Sequence, residues 1–183
     1  MSPEKVYDPA ATAALFEAVD ENRVADALAA LDNGADPNGK QGDADNSPLM
    51  ICALHHLPPV SKALLEKGAD PDYRRKGGDT ALMLCAFSND RTTARLIVDA
   101  GANILIQNFA NEDAMMCANK ESNRELGQLF RQWAEERGQR RARARAQAEL
   151  RQNIEDAVST VQAGIQAPLQ VRRPLRLKGG LHV

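Results

Sequence analysis

The segment LEKGADPD at residues 65–72 is followed by TALMLCA at residues 80–86, and variants of both occur three times in the chain. The first segment recurs as LDNGADPN at 31–38 and VDAGANIL at 98–105, and the second as SPLMICA at 47–53 and DAMMCAN at 113–119. In the first segment the glycine recurs at intervals of 34 and 33 residues. In the second segment the methionine at the fourth position recurs at intervals of 33 and 33 residues. Two motifs that share one period predict an array of repeated structural units.

Each copy of the second motif begins like a helix. Its first residue is a short polar side chain that can cap a helix N-terminus, namely Ser47, Thr80 and Asp113. Pro48 then stands at the first helical position, where its missing N–H costs nothing. The first motif ends a helix with a glycine, which readily adopts the left-handed conformation found there: Gly34, Gly68 and Gly101. The Asp-, Asn- and Gly-rich residues that follow predict an extended finger leading to the next helix pair.

The combination of this period with GAD at the end of one unit and Ser or Thr, Pro or Ala, Leu and Met at the start of the next resembles the ankyrin repeat. Over about residues 10–137 the resemblance implies an all-α solenoid of about four helix pairs with three finger loops, followed by a C-terminal helix and an extended tail. We place the pairs at 11–32, 47–67, 80–100 and 113–137, and the fingers at 34–46, 68–79 and 101–112. The family usually has a His that ties neighbouring fingers together where this chain has Met50, Met83 and Met116, and Met instead fills space.

Composition agrees with an array of short helices. The chain has 183 residues, of which 43% are hydrophobic but only 4% aromatic, which suits many small aliphatic contacts. Cys52, Cys85 and Cys117 are an odd number and lack metal-type close spacing, so we expect no disulfide framework. The N-terminal residues contain no apolar run typical of a signal peptide, and no run of about 18 apolar residues could span a bilayer. We therefore expect a cytoplasmic protein with no membrane segment.

Reactive groupings of the kinds that mark enzymes do not occur in the sequence. There is no nucleophile elbow, no P-loop and no Rossmann fingerprint, so we expect no enzymatic activity, no catalytic residues and no cofactor. His55 and His56 lie near Cys52, but two further ligands at metal spacing are missing, and we expect no metal site. The simpler interpretation of Cys52 and Cys85 is a small buried side chain at equivalent repeat positions.

The candidate partner-binding residues fall in the fingers and in the tail. The resemblance implies that the concave face formed by the fingers and first helices binds partners. Exposed aromatic and Arg side chains dominate interface energetics, and the fingers supply Lys40, Tyr73, Arg74, Arg75, Lys76 and Phe109. The tail supplies four further cations without an acid: Arg172, Arg173, Arg176 and Lys178.

Charge divides the chain. Residues 1–113 carry 10 basic and 18 acidic side chains, a net charge of −8, whereas residues 114–183 carry 13 and 7, a net charge of +6. The two parts should attract each other, within one molecule or between molecules. The domain organisation that we predict is an array at 10–138, a basic and amphipathic helical extension at 139–165, and a cationic extended tail at 166–183.

Two features of the extension have alternative interpretations. Five arginines within nine residues could contact phosphates of a nucleic acid, dock on the acidic repeats or face solvent: Arg137, Arg140, Arg141, Arg143 and Arg145. An apolar stripe with spacings of 4, 3 and 4 could fold back on a repeat surface or pair with another chain: Ile154, Val158, Val161 and Ile165. Gly164 and Pro168 are expected to break the helix, and the tail could lie along an acidic groove of this protein or of a partner.

The sequence thus favours a binding module that sequesters, inhibits or positions a protein partner, and a toxin-neutralising immunity protein is one such case. A nucleic-acid-associated protein that uses the Arg-rich helix 137–145 is an alternative, and a homo-oligomeric scaffold is another. Nucleic acid is the less favoured partner, because no stacking aromatic residues accompany the arginines and the sequence pI is about 5.9.

Overall fold

The structure is a computed structural model that describes residues 6–166, with side-chain surroundings as far as residue 159, residue 157 excepted. Within residues 6–166 the chain forms eight α-helices and no strand, so the predicted all-α array is confirmed. The helices are α1 (Pro9–Asp20), α2 (Val24–Asp32), α3 (Pro48–His55), α4 (Pro58–Glu66), α5 (Ala81–Ser88), α6 (Arg91–Asp99), α7 (Ala114–Lys120) and α8 (Arg124–Gln166). The chain divides into two compact units, Met1–Arg137 and Gly138–Val183, which we call the array and the extension.

The first helix of three successive pairs is capped as the sequence predicts. The side chains of Ser47, Thr80 and Asp113 each accept a hydrogen bond from the backbone N–H three residues later, at 3.4, 3.4 and 2.9 Å. These bonds satisfy N–H groups that have no partner within the helix. The caps therefore fix where α3, α5 and α7 begin.

Glycines end the second helices of the pairs. Gly34, Gly68 and Gly101 follow α2, α4 and α6 with φ angles of +92°, +96° and +111°. A side chain is strained in this left-handed region, and glycine is not. The prediction that these glycines turn the chain out of the helix is confirmed.

Helices of the same kind pack side by side through the array. The first helices α1, α3, α5 and α7 contact each other in sequence, and so do the second helices α2, α4 and α6. Their facing side chains form one hydrophobic core, in which Met50 and Met83 are completely buried. Met116 occupies the same repeat position but is 48% exposed, because no further repeat among residues 6–166 packs over it. At this repeat position, methionine thus fills space in the two inner repeats and not in the last one.

Two boundaries differ from the prediction. Helix α1 begins at Pro9 and not at residue 11, because the Asp8 carboxylate caps it with a 2.8 Å bond from the N–H of Ala10. Helix α8 continues through Gly164 to Gln166, where a break was expected. That expectation was wrong because glycine inside a helix keeps its backbone hydrogen bond and costs only about 1 kcal/mol relative to alanine. Pro168 and the predicted tail lie outside the described residues.

Candidate partner-binding surface

Neighbouring fingers meet through two cation–π contacts. The Nζ of Lys40 lies 5.1 Å from the ring centroid of Tyr73, and the guanidinium carbon of Arg74 lies 5.3 Å from that of Phe109. In each case the cation comes from one finger and the aromatic ring from the next. Phe109 nevertheless remains 73% exposed, so the contact with Arg74 covers only part of its ring. Four of the six finger residues that the sequence singles out therefore form two cation–aromatic pairs.

Arg74 is also held by backbone carbonyls on two fingers. Its Nε donates to the carbonyl of Gly78 at 3.2 Å, and its Nη2 donates to the carbonyl of Gln107 at 2.9 Å. These bonds fix the guanidinium plane in a position where it can lie over the ring of Phe109. Arg74 thus stays at the surface in a fixed orientation, which lowers the entropy that it would lose on binding a partner.

The Arg75 side chain binds a buried carboxylate within its finger. Its Nε and Nη2 both donate to one oxygen of the buried Asp79, at 2.9 and 2.7 Å. The other Asp79 oxygen accepts a 2.8 Å bond from the amide of Asn108 in the next finger. Because two of its donor nitrogens are committed to this carboxylate, the Arg75 charge is less available to a partner than the sequence suggests.

Lys76 links the second finger to the first while remaining exposed. Its N–H donates to the carbonyl of Ala44 at 3.0 Å, and its Nζ lies 3.7 Å from an Asp45 carboxylate oxygen. An exposed ion pair of this length is weak, so the ammonium group can exchange Asp45 for an acidic group on a partner.

Gly78 permits the close approach of the second and third fingers. It has a φ of +82°, and a Cβ built there would lie 2.9 Å from the backbone nitrogen of Phe109 and 3.0 Å from its Cδ1. No real side chain tolerates both distances without a shift of the Phe109 backbone. The glycine therefore positions Phe109.

Two exposed apolar residues at one register position of the first helices were not among the predicted site residues. Leu54 and Phe87 are 41% and 38% exposed, and each follows the repeated methionine by four positions. Lys120 holds that position in the last repeat. Because α3, α5 and α7 pack side by side, equivalent positions form a row across them. Comparing one register position through all repeats would have identified the row. We call Leu54, Phe87 and the finger residues Lys40, Tyr73, Arg74, Lys76 and Phe109 the candidate binding surface.

An open pocket lies at the first-finger end of this surface. It has a volume of about 370 Å³ and is lined by Pro9, Thr12, Ala13, Phe16, Lys40 and Gln41. The lining is apolar on the α1 side and polar on the finger side. Such a pocket can take one apolar side chain of a partner while Lys40 contacts a neighbouring acidic group.

The cysteines and histidines do not form a ligand site in the described part of the chain. Cys52, Cys85 and Cys117 are buried free thiols. Burial raises the pKa of Cys52 to about 12 and that of Cys117 to about 11, so both are protonated at neutral pH. No three His, Cys, Asp or Glu side chains come together among the described residues in a way that could hold a metal ion.

The basic residues beyond the fingers have separate environments. Arg137 donates to the backbone carbonyls of Gly101 and Ala102 at the end of α6, and so belongs to the array. The next four arginines of the cluster are exposed on α8: Arg140, Arg141, Arg143 and Arg145. The predicted tail residues Arg172, Arg173, Arg176 and Lys178 lie outside the described residues.

Comparison with known proteins supports the repeat assignment. A family model of ankyrin repeats, in three copies, matches residues 12–108. An ankyrin repeat-containing protein of Treponema pallidum (strain Nichols) is 35% identical over 96 residues, which are 52% of this chain and 32% of that protein. An ankyrin repeat protein of Acanthamoeba polyphaga mimivirus is 38% identical over 66 residues, 36% of this chain and 40% of that protein. The chain therefore spans less than half of either relative, but the repeats themselves are shared, and it belongs to the ankyrin repeat family.

Proposed function

We propose that this chain is a non-enzymatic binding module that captures a protein partner on the candidate binding surface. The observation that carries the proposal is the exposure of three large apolar side chains: Leu54 and Phe87 on successive first helices, and Phe109 on the third finger. Exposed aromatic and Arg side chains are typical of interface hot spots, and Arg74 lies over the ring of Phe109. Ankyrin repeats generally mediate protein–protein interaction, which agrees with this use.

The chemistry of the surface favours an acidic partner. Lys40 lies over the ring of Tyr73 and Arg74 over that of Phe109, and Lys76 is exposed on the same finger as Arg74, although residues 1–113 are acidic as a whole. An acidic loop with one or two apolar residues would match both the charge and the rings. Arg172, Arg173, Arg176 and Lys178 would extend the same preference if the tail reaches the partner. Sequestration of an acidic active cleft in the cytoplasm, as by a toxin-neutralising immunity protein, is one form of this function.

Affinity purification of the wild type and of variants altered on the candidate binding surface tests the proposal. Tagged full-length protein should recover one partner in stoichiometric amount from its own cells. The double variant Phe87→Ala, Phe109→Ala should lose at least about 90% of that partner, because each ring supplies contact area that alanine lacks. Val6→Ala is the matched control, since Val6 is 95% exposed and lies outside the surface. Equal recovery by both variants would rule out the candidate binding surface.

A truncation separates the role of the tail from that of the repeats. Protein ending at residue 165 lacks Arg172, Arg173, Arg176 and Lys178 but keeps every described helical contact of the array. If the tail enters the partner, this truncation weakens binding while Phe87 and Phe109 remain intact. Unchanged binding by the truncated protein would remove the tail from the proposal and leave the repeats in it.

A nucleic-acid function is the second candidate, and the exposure of four arginines on α8 supports it. Phosphate binding by these residues would give retention on DNA or RNA that falls steeply with salt. Replacing Arg140, Arg141, Arg143 and Arg145 by Gln should then abolish retention. Retention that is absent in the wild type, or unchanged in the Gln variant, would exclude this candidate.

A further inference from the structure

The described part of the extension carries an apolar stripe that is open to solvent. Leu150, Ile154 and Val158 are 60%, 55% and 50% exposed on α8. Residues four apart lie on one face of a helix, so the three side chains form a continuous row. Every described residue of the extension is exposed, and a large exposed apolar row that repeats at helical spacing marks a contact surface.

The part of the row whose side chains are described is symmetric about Ile154. Leu150 lies four residues before it and Val158 four residues after it. When two copies of a helix are placed antiparallel and centred on one residue, positions at equal distance on either side come opposite each other. Centring on Ile154 therefore sets Leu150 of each copy against Val158 of the other, and Ile154 against itself. A surface that is complementary to its own copy is what a twofold symmetric dimer requires.

Charge selects the antiparallel orientation over the parallel one. Four arginines precede the row, and no acid occurs among residues 137–148. In a parallel pair the two arginine clusters would lie side by side at about 10 Å, the usual spacing of packed helices. In an antiparallel pair centred on Ile154, the two copies of Arg143 are about 22 positions apart along the axis, which is about 33 Å at about 1.5 Å per residue. Repulsion between exposed charges is largely screened over that distance.

Oppositely charged side chains on one flank of the row would attract each other between the two copies in the same antiparallel arrangement. Arg151 and Glu155 follow Leu150 and Ile154 by one position each, so they lie on the same side of the row. Within one helix their side chains are 3.0 Å apart. Like flanks meet in an antiparallel pair, so Arg151 of one copy comes within about 3 Å, along the axis, of the level of Glu155 in the other copy. The four side chains can form one alternating ion network.

From these observations we propose that the extension helix pairs antiparallel with the same helix of a second copy, centred on Ile154, and makes the protein a homodimer. This assembly does not depend on the proposed binding function, because none of its residues belongs to the candidate binding surface. It would present two such surfaces to partners, and a bivalent partner would then bind with higher avidity.

The mass of full-length protein in solution tests the pairing. Wild-type protein at micromolar concentration should scatter light as a dimer, with twice the 19.9 kDa of one chain. Ile154→Lys should scatter as a monomer, because two ammonium groups would meet at the centre. Gln152→Lys is the matched control, since Gln152 is exposed on the same helix and lies two positions from both Leu150 and Ile154, on the opposite face, and it should remain a dimer. A monomeric wild type, or a dimeric Ile154→Lys protein, would overturn the proposal.

Disulfide cross-linking tests the orientation independently of any loss of folding. Leu150→Cys and Val158→Cys proteins, mixed and oxidised, should give a cross-link between unlike chains and little between like chains. The native thiols do not compete, because all three are buried in the array. Efficient cross-linking within each separate variant would show parallel pairing and contradict the centring on Ile154. Circular dichroism melting of each variant confirms that the array is folded.

Discussion

The side-chain amide of Asn108 donates a 2.8 Å hydrogen bond to a buried oxygen of Asp79, across the boundary between two fingers. The second oxygen of Asp79 holds Arg75 by two hydrogen bonds. One carboxylate thus organises its own finger and joins it to the next. The histidine that usually ties fingers together in the family is methionine here, and this network is one of the links between the second and third fingers.

Loss of the Asp79 carboxylate should therefore destabilise the array. We expect Asp79→Ala to lower the free energy of unfolding by about 3 kcal/mol, because it leaves the Arg75 guanidinium and the Asn108 amide without their partner. Urea unfolding followed by circular dichroism measures the change. Asp43→Ala is the control, since Asp43 is exposed in the first finger and its loss should change the free energy by less than about 0.5 kcal/mol. Equal effects of the two substitutions would contradict the assigned role.

Two glycine substitutions should separate backbone strain from steric clash. Gly34 and Gly78 both have positive φ angles, but a Cβ at Gly34 would meet nothing within 4 Å. We expect Gly34→Ala to cost about 1–2 kcal/mol from backbone strain alone. Gly78→Ala should cost more, because its Cβ would also push against Phe109. Thermal unfolding of both variants tests the order, and a smaller loss at Gly78 would mean that the fingers do not touch there.

Phenylalanine residues at two sites should differ strongly in their contribution to stability. Phe130 is completely buried and packs edge to face on Trp133, with ring centroids 5.7 Å apart. We expect Phe130→Ala to cost about 3–5 kcal/mol through the cavity that it creates. Phe109→Ala should cost no more than about 1 kcal/mol, the scale of its cation–π contact with Arg74. A large loss at Phe109 would show that it is a core residue and not part of a binding surface.

Alkaline pH should weaken the array through its thiols. Burial raises the pKa of Cys52 to about 12, and it also raises the pKa of Cys85 well above the ordinary value, with the nearby Asp90 charge adding to the effect. The unfolded chain loses these protons near pH 9 and the folded chain keeps them to higher pH, so the folded state binds more protons in between. The stabilising contribution is complete below pH 9 and falls above it, with a limiting slope of about 1.4 kcal/mol per pH unit for each thiol.

Comparison of two proteins at two pH values checks this linkage. Between about pH 8 and about pH 10 the wild type should lose more free energy of unfolding than the double variant Cys52→Ala, Cys85→Ala, which has no thiols to ionise at these positions. Other groups that titrate in this range are common to both proteins and cancel in the difference. An identical pH dependence would show that these thiols are not protected from ionisation.

Only part of the candidate binding surface was predictable from the sequence. Lys40, Tyr73, Arg74 and Phe109 were correctly placed on finger loops from their position after the glycines, since a loop residue is assigned by local turn chemistry. Leu54 and Phe87 were missed because an apolar residue in a short, mostly apolar helix is expected to be buried in the core. Their exposure depends on which side of α3 and α5 the neighbouring helices cover, and that is a property of the stacked array.

By itself the sequence determined the unit that repeats. The caps at Ser47, Thr80 and Asp113 and the glycines after each second helix act within one turn of the chain, so their effects follow from local composition. Only the tertiary structure decided which side chains at equivalent repeat positions are buried and which partners neighbouring side chains bind. Met50 and Met83 are buried while Met116 is exposed, and of two adjacent arginines Arg74 lies over Phe109 while Arg75 binds Asp79. Contacts between repeats join residues about 33 positions apart, and only the stacking of one repeat on the next brings them together.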